Sequence, residues 1–371
     1  MADGGDPTQK CRITGMPSLS EAPSGGARAL WLLSRFSKVT RRKGGTISRC
    51  YRSNGYVLKQ KNYPTHHPPQ FLLYPLEPFP NSTASHLIIY PLAGIPMRTL
   101  ELAGKTVPVM GQGTWHMGEQ RDLRSAEIRA LCQGIELGMN LIDTAEMYAD
   151  GIAEEIVGEA TVGQRDDVFI VSKVYPHNAS RQGIPAACER SLKRLKTDYI
   201  DLYLLHWPGS YPLEETVEAF ERLRADGKIG RWGVSNFDVP DLLELNNPAC
   251  ATNQVLYNPE DRGIEFDLLP WAEANGMPTM AYCPIGQGQQ GNLLHHPALH
   301  EVAARHNATP AQISLAWVLR RSNMIAIPKA VTPKHIELNA AAAQLILNEK
   351  DLADLDRAWP TPARKMPLAM V

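Results

Sequence analysis

From position 97 to position 371 the sequence alternates between short apolar stretches and longer stretches with helical periodicity. "MNLIDTA", "DVFIVSKV", "YIDLYLLHW", "GRWGVSN", "TNQVLYN", "PTMAYCPI" and "MIAIPKA" read as strands. Between and after them, "GIAEEIVGEA", "PAACERSLKRLK", "LEETVEAFERLRADGK", "DVPDLLELN", "EFDLLPWAEANG", "TPAQISLAWVLRRS" and "TPKHIELNAAAA" space their apolar residues as helices do. "RSAEIRALCQGIELG" precedes the first of these strands and reads as another helix. The strands lack the strict polar alternation of a sheet with one wet face. Both faces are therefore buried, which calls for a parallel sheet covered by helices. A short hairpin in "ELAGKTVPV" leads into a first strand near "PVMGQGTW". That makes about eight strand–helix units, and a (β/α)8 TIM barrel takes about 250 residues. An open doubly wound sheet is the alternative, but it would carry a phosphate loop after its first strand. "GQGTWHMG" has the wrong spacing for one, and Trp115 and His116 are too bulky for close backbone approach.

A literal G-x-G-x-x-G does occur, at Gly286–Gly291 in "AYCPIGQGQQGNLL". Its context is wrong for a dinucleotide fingerprint, which follows the first strand and opens a helix. This one follows a late strand, and Pro297 comes soon after it. It reads as a flexible loop after the seventh barrel strand.

Residues 1–96 look like different material. They hold 12 Lys and Arg against 4 Asp and Glu, whereas residues 97–371 hold 26 against 35. "EAPSGG", "RRKGG" and "YPLEPFPNS" break any period, and a basic extension of low order is expected. A transit peptide and a nucleic-acid arm are the functional alternatives. The plainer readings are a solvated tail or an upstream stretch read as coding, and Met97 would serve as the true start. The acidic balance of residues 97–371 argues against nucleic acid as a partner. No apolar run approaches the roughly 18 residues of a membrane span. The six cysteines are scattered without metal or disulfide spacing, so a reduced, cytoplasmic chain with no metal is expected.

In a parallel barrel the chemistry sits at the C-terminal ends of the strands. Those ends hold Trp115, Asp143, Lys173, His206, Ser235, Asn236, Gln254, Tyr282 and Lys329. Polar groups at nearly every end are costly unless paired or functional. Asp143, Lys173 and His206 end three consecutive strands, and Tyr148 lies five residues past Asp143. An ammonium beside a phenol lowers the phenol pKa, and a carboxylate holds the ammonium charged. The set suits proton donation to an oxygen whose carbon is being reduced. Taken singly, Asp143 reads as a helix cap, Lys173 as an ion-paired strand end, His206 as a core histidine and Tyr148 as a loop aromatic. Joint placement carries the functional reading.

"LIDTAEMYADGIAEEIVGEA", "VSKV", "TDYIDLYLLHWP", "GKIGRWGVSNF", "NQVLYN", "AYCPIGQG" and "IPKAVTPKHIELNA" occur in one order over residues 97–371. Together they resemble the aldo-keto reductase superfamily. "GQGTWHMGE", "VSKVYPHN" and the tail "PLAMV" resemble its bacterial branch of methylglyoxal and 2,5-diketo-D-gluconate reductases. The resemblance implies a catalytic tetrad of Asp143, Tyr148, Lys173 and His206, with Tyr148 as proton donor. It implies cofactor contacts from Thr114, Asp143, Ser235, Asn236, Gln254, Tyr282, Ile285, Lys329, His335 and Asn339. Tyr282 would stack on the nicotinamide, and the "GQGQQG" loop would fold over the pyrophosphate. The family often has Ser after the phosphate lysine and Arg six residues beyond it. Ala330 and His335 stand there instead. NADPH is therefore the expected cofactor and NADH the alternative.

Trp115 and Trp207 are expected to wall the substrate pocket, barrel-mouth packing being the other reading of either. The short tail after Trp359 points to small aldehydes, α-ketoaldehydes or sugar-derived ketones. The resemblance implies a monomer, with a weak oligomer as the alternative. Potassium-channel β subunits resemble the same family, so a cofactor-binding regulatory subunit with little turnover is the competing function. The intact tetrad argues for the enzyme.

Overall fold

Eight parallel strands form one sheet, described in a computed structural model for residues 96–288 and 291–371. The expectation of low order for residues 1–96 falls outside the described residues except at Pro96. A hairpin comes first, with β1 (Thr99–Leu102) antiparallel to β2 (Lys105–Pro108). The sheet then runs through β3 (Gln112–Gly113), β4 (Leu141–Asp143), β5 (Phe169–Val174), β6 (Ile200–Leu205), β7 (Ile229–Ser235), β8 (Cys250–Leu256) and β9 (Thr279–Tyr282). A short extended stretch, β10 (Pro284–Gln287), precedes the last sheet strand, β11 (Met324–Ala326). The barrel closes where Met110 bridges Ala326 in parallel, with Gly111 N–H donating to the Ala326 carbonyl at 2.8 Å. The (β/α)8 reading of the sequence holds.

The helices are α1 (Arg124–Glu136), α2 (Ile152–Ala160), α3 (Gly183–Leu195), α4 (Leu213–Ala225), α5 (Val239–Leu245), α6 (Leu268–Ala274), α7 (Pro297–Arg305), α8 (Pro310–Val318), α9 (Pro333–Ala342) and α10 (Glu349–Ala358). Capping boxes start three of them: Asp238 with Asp241 at α5, Thr309 with Gln312 at α8, and Asn348 with Asp351 at α10. Side chains alternate across each strand. Outward residues such as Ile142, Ile170 and Tyr203 join the large core shared with the helices. Inward residues Leu141, Phe169, Val171, Leu202, Leu204, Met280, Ile325 and Ile327 fill the lumen, and Leu102 and Val107 of the hairpin belong to the same cluster.

This alternation positions the site. Two residues past Leu141 on the inward face comes Asp143, and two past Val171 comes Lys173. By the same step Leu204 leads to His206, Met280 to Tyr282 and Ile327 to Lys329. The lumen is apolar below and polar at its upper rim because the inward residue type changes at the last step.

The sequence reading of a loop after β9 is modified. Its first part is extended as β10, held by Ser314 Oγ of α8, which donates to the Pro284 carbonyl at 2.6 Å. Gln289 and Gln290 of the G-x-G-x-x-G stretch lie outside the described residues.

Candidate active site

At the top of the lumen Lys173 is completely buried and donates three hydrogen bonds. They run to Asp143 Oδ2 at 2.8 Å, the Thr144 carbonyl at 2.9 Å and Tyr148 Oη at 3.0 Å. Its ammonium also lies 4.7 Å from the Tyr148 ring centroid. Tyr148 opens a tight turn whose next residues, Ala149 and Asp150, have φ of 48° and 53°. That left-handed turn, closed by Gly151, sets the phenol back over the strand ends instead of continuing into α2. The other Asp143 oxygen, Oδ1, accepts from Gln254 Nε2 at 2.7 Å, and Thr114 Oγ1 donates to the Asp143 carbonyl at 3.0 Å.

Burial pushes the Asp143 carboxyl up and the Lys173 ammonium down, while each holds the other's charge. Burial, and then the Asp143 carboxylate, push the Tyr148 phenol well above its usual value. This differs from the expectation that Lys173 would lower it. Burial outweighs the ammonium beside the phenol, and Tyr148 stays protonated. His206 goes the other way: burial and the Lys173 charge hold its imidazole down at about 2. It is therefore neutral, and its buried Nδ1 has no hydrogen-bond partner among the described residues. Its ring meets Tyr148 edge-on at 5.8 Å and lies 4.9 Å from Trp207.

A second network covers the neighbouring strand ends. Asn236, left-handed at φ 58°, donates from Nδ2 to the His206 carbonyl at 3.1 Å and to Ser235 Oγ at 3.2 Å. Ser235 Oγ donates to the Gln254 carbonyl at 2.8 Å, and Tyr282 Oη donates to Asn236 Oδ1 at 2.9 Å. One cavity of about 720 Å³ runs over both networks. Asp143, Tyr148, His206, Ser235, Asn236, Gln254, Tyr282, Ile285 and Lys329 line it, as do Trp115 and Trp207. Thr114 lies beneath it through Asp143; His335 and Asn339, both on α9, are not among its lining residues. Trp115 stacks on His116 at 4.3 Å, and Trp207 meets Tyr175 edge-on at 5.9 Å.

Sequence reasoning passed over several contributors. Met147 and the C-terminal pair Met370 and Val371 line the cavity. Glu146, buried, accepts from Tyr175 N–H and Asn178 Nδ2, both at 2.9 Å, tying the turn that carries Tyr148 to the loop after β5. A charged residue between two apolar-leaning neighbours was the available signal for Glu146. Nothing local in the sequence links residue 371 to residue 282. Among the described residues no group of His, Cys, Asp and Glu is placed to hold a metal, and no helix is long and apolar enough to cross a membrane.

A closed parallel barrel with a buried acid–lysine–tyrosine cluster at its strand ends defines the chain as one of the (β/α)8 enzymes. The sequence profile of the Aldo/keto reductase family matches residues 109–360. The chain belongs to that family and is an oxidoreductase. It is 54% identical over 272 residues to methylglyoxal reductase YeaE of Escherichia coli, covering 72% of this chain and 96% of that protein. It is 35% identical to glyoxal reductase of Bacillus subtilis, covering 70% of this chain and 94% of that one. Among solved structures, an aldo/keto reductase of Klebsiella pneumoniae in complex with NADP and acetate superposes with a TM-score of 0.72 at 50% identity. It covers 74% of this chain and 100% of that one. A second Klebsiella structure, in complex with NADPH, gives a TM-score of 0.73 at 50% identity, covering 75% and 100%.

Proposed function

We propose that this protein reduces small aldehydes and α-ketoaldehydes, methylglyoxal among them, with NADPH, and that Tyr148 donates the proton. The observation that carries the reading is the three-way contact of Lys173 with Asp143, Thr144 and Tyr148 at the rim of a roofed cavity. The names of the relatives in Escherichia coli and Bacillus subtilis support the substrate class, and the Klebsiella structures support the cofactor.

The cleft fits such a cofactor chemically. Ser235, Asn236 and Gln254 offer amide and hydroxyl groups at one end, beside the aromatic face of Tyr282. Lys329 lines the same cavity and forms no ion pair among the described residues, which suits contact with a phosphate. Gly288, left-handed at φ 61°, leaves open space where a Cβ would be. The cavity volume lies within the range of ligand sites, about 300–1,000 Å³.

Bound NADPH supplies the hydride. The protein's own groups do the rest. Tyr148 holds its proton at Oη because burial keeps the phenol neutral. As negative charge develops on the carbonyl oxygen, that proton moves to it, and the phenolate left behind is met by the Lys173 ammonium 3.0 Å away. Asp143 keeps Lys173 charged and aimed. Neutral His206 has one N–H to donate, and its place beside Tyr148 suits a hydrogen bond to the same oxygen. Trp115, Met147 and Trp207 give the substrate an apolar surround that excludes water.

The test is turnover. Purified protein with NADPH and methylglyoxal is expected to consume the cofactor absorbance. Binding of NADPH without turnover of any small aldehyde or ketone would sink the enzyme reading and favour a cofactor-binding regulatory protein. His335→Arg beside wild type, assayed with NADPH and NADH, reads the cofactor preference. The arginine is expected to raise the ratio of NADPH to NADH efficiency.

A further inference from the structure

Residues 360–371 leave α10 and end on the cavity. Met370 and Val371 line it together with Tyr282 and Asn236. Tyr282 in turn holds Asn236, so the end of the segment sits against the group of side chains read above as the ring end of the cofactor cleft.

Two clasps hold this segment, and they differ in kind. At its root Arg262, beyond β8, donates to the Trp359 carbonyl and to Thr361 Oγ1 and pairs with Asp356 at 2.7 Å. Arg262 is only 6% exposed and is fixed from behind by Glu265 at 2.8 Å. Nearer the tip, Lys365 bridges Asp238 at 2.5 Å and Asp267 at 2.8 Å. Asp238 caps α5 two residues after Asn236, and Asp267 precedes α6. The Lys365 side chain is 40% exposed, so water and salt compete for it. Between Lys365 and the cavity Leu368 packs against the core, while Met366 and Met370 are about half exposed. The root is an anchor, the tip is light, and one ammonium holds the tip to two strand-end loops.

We propose that residues 360–371 are a strap across the ring end of the cofactor cleft, and that Lys365 is the latch whose release sets the rate of cofactor exchange. The inference rests on the reading of the cleft as the NADPH site. Opening the strap requires one ammonium to leave two carboxylates. Nothing in the core has to move, because Arg262 and its partners stay in place.

The experiment is NADPH release from the full-length protein, followed by fluorescence after a chase with excess NADP+. Wild type is expected to release faster as salt rises, because salt screens the latch. Lys365→Met is expected to release roughly two- to fivefold faster at low salt, the scale of a half-exposed ion pair, and to lose most of the salt dependence. Lys365→Arg should restore both. Hydrogen exchange of residues 366–371 in the cofactor-free protein should quicken in Lys365→Met while exchange at α8 stays unchanged. Release kinetics and salt dependence identical in wild type and Lys365→Met would overturn the latch while leaving the cofactor site intact. Failure of wild type to bind NADPH at all would overturn the site reading and the strap's role with it.

Discussion

A phenol held neutral beside a neutralised ion pair is the central chemical fact at the residue scale. Tyr148→Phe removes the proton and keeps the ring that packs over Lys173. Reduction of methylglyoxal is expected to fall by about 10²- to 10⁴-fold, the usual weight of a positioned acid, while NADPH affinity measured by fluorescence titration stays within about twofold. Preserved turnover would refute the assignment of Tyr148 as donor. His206 yields a second prediction, on stability. Its folded pKa, near 2, lies below the roughly 6.5 of an unfolded histidine. The unfolded chain therefore takes up this proton first as pH falls below 6.5, and folded stability drops with pH from there down towards 2. Between pH 7 and pH 5 this single group costs about 2 kcal/mol. His206→Gln is expected to lose that much less stability than wild type over the same interval, read from urea midpoints at the two pH values. Equal losses in the two proteins would show that the imidazole is already charged in the fold. The convergence of Asp143, Tyr148, Lys173 and His206 was legible in the sequence because three of them end consecutive strands and Tyr148 follows the first of these closely. Their pKa directions were not, because burial at the rim depends on the loops that roof it.

Elements were legible where the alternation of strand and helix was regular, and less so outside it. α7 is not among the helices read from the sequence, and it begins at Pro297. The proline stands at the first helical position, where its missing N–H is no loss, and His296 Nδ1 accepts from Ala298 N–H to cap the turn. α10 falls after the last strand–helix unit, so the repeat does not call for it. Helix-to-helix fit is a further property that periodicity leaves open. At Gly158 of α2 a Cβ would lie 2.5 Å from the Arg194 carbonyl oxygen and 2.7 Å from the Leu195 carbonyl carbon, both backbone atoms at the end of α3. Backbone cannot give way as a flexible side chain can. Gly158→Ala is therefore expected to cost about 1–3 kcal/mol despite the better helix propensity of alanine. Urea unfolding measures it, and a stabilised variant would mean that α2 and α3 can part without loss. Glu265 makes the corresponding point for charge. Its buried carboxylate meets Arg262, Arg320 and the Tyr257 hydroxyl. Glu265→Gln leaves those guanidinium groups short of a counter-charge, and a loss of about 3–5 kcal/mol is expected in the same assay.

For the whole molecule, the open matter is what the barrel needs from residues 1–96. The charge contrast across position 96 and the abrupt onset of periodicity at Met97 set the two parts apart. The Escherichia coli relative matches this chain along 96% of its own length while covering 72% of this one. The lower end of the lumen has its own cover, since Leu102 and Val107 of the β1–β2 hairpin pack with Leu141, Phe169 and Ile325. Closure of the sheet rests on Met110 and Ala326, and Arg98 reaches back to the Leu319 carbonyl at 3.3 Å. We propose that residues 97–371 fold and act as a unit. A protein beginning at Met97 is expected to match the full-length chain within about 0.5 kcal/mol in urea unfolding, the scatter of surface changes, and to have the same kcat/KM for methylglyoxal. A loss of stability beyond about 1 kcal/mol would give the extension a part in the fold. Unchanged stability with a lowered kcat/KM would instead give it a part in turnover. Each element that closes, covers and lines the described barrel comes from position 97 onward, so neither loss is expected.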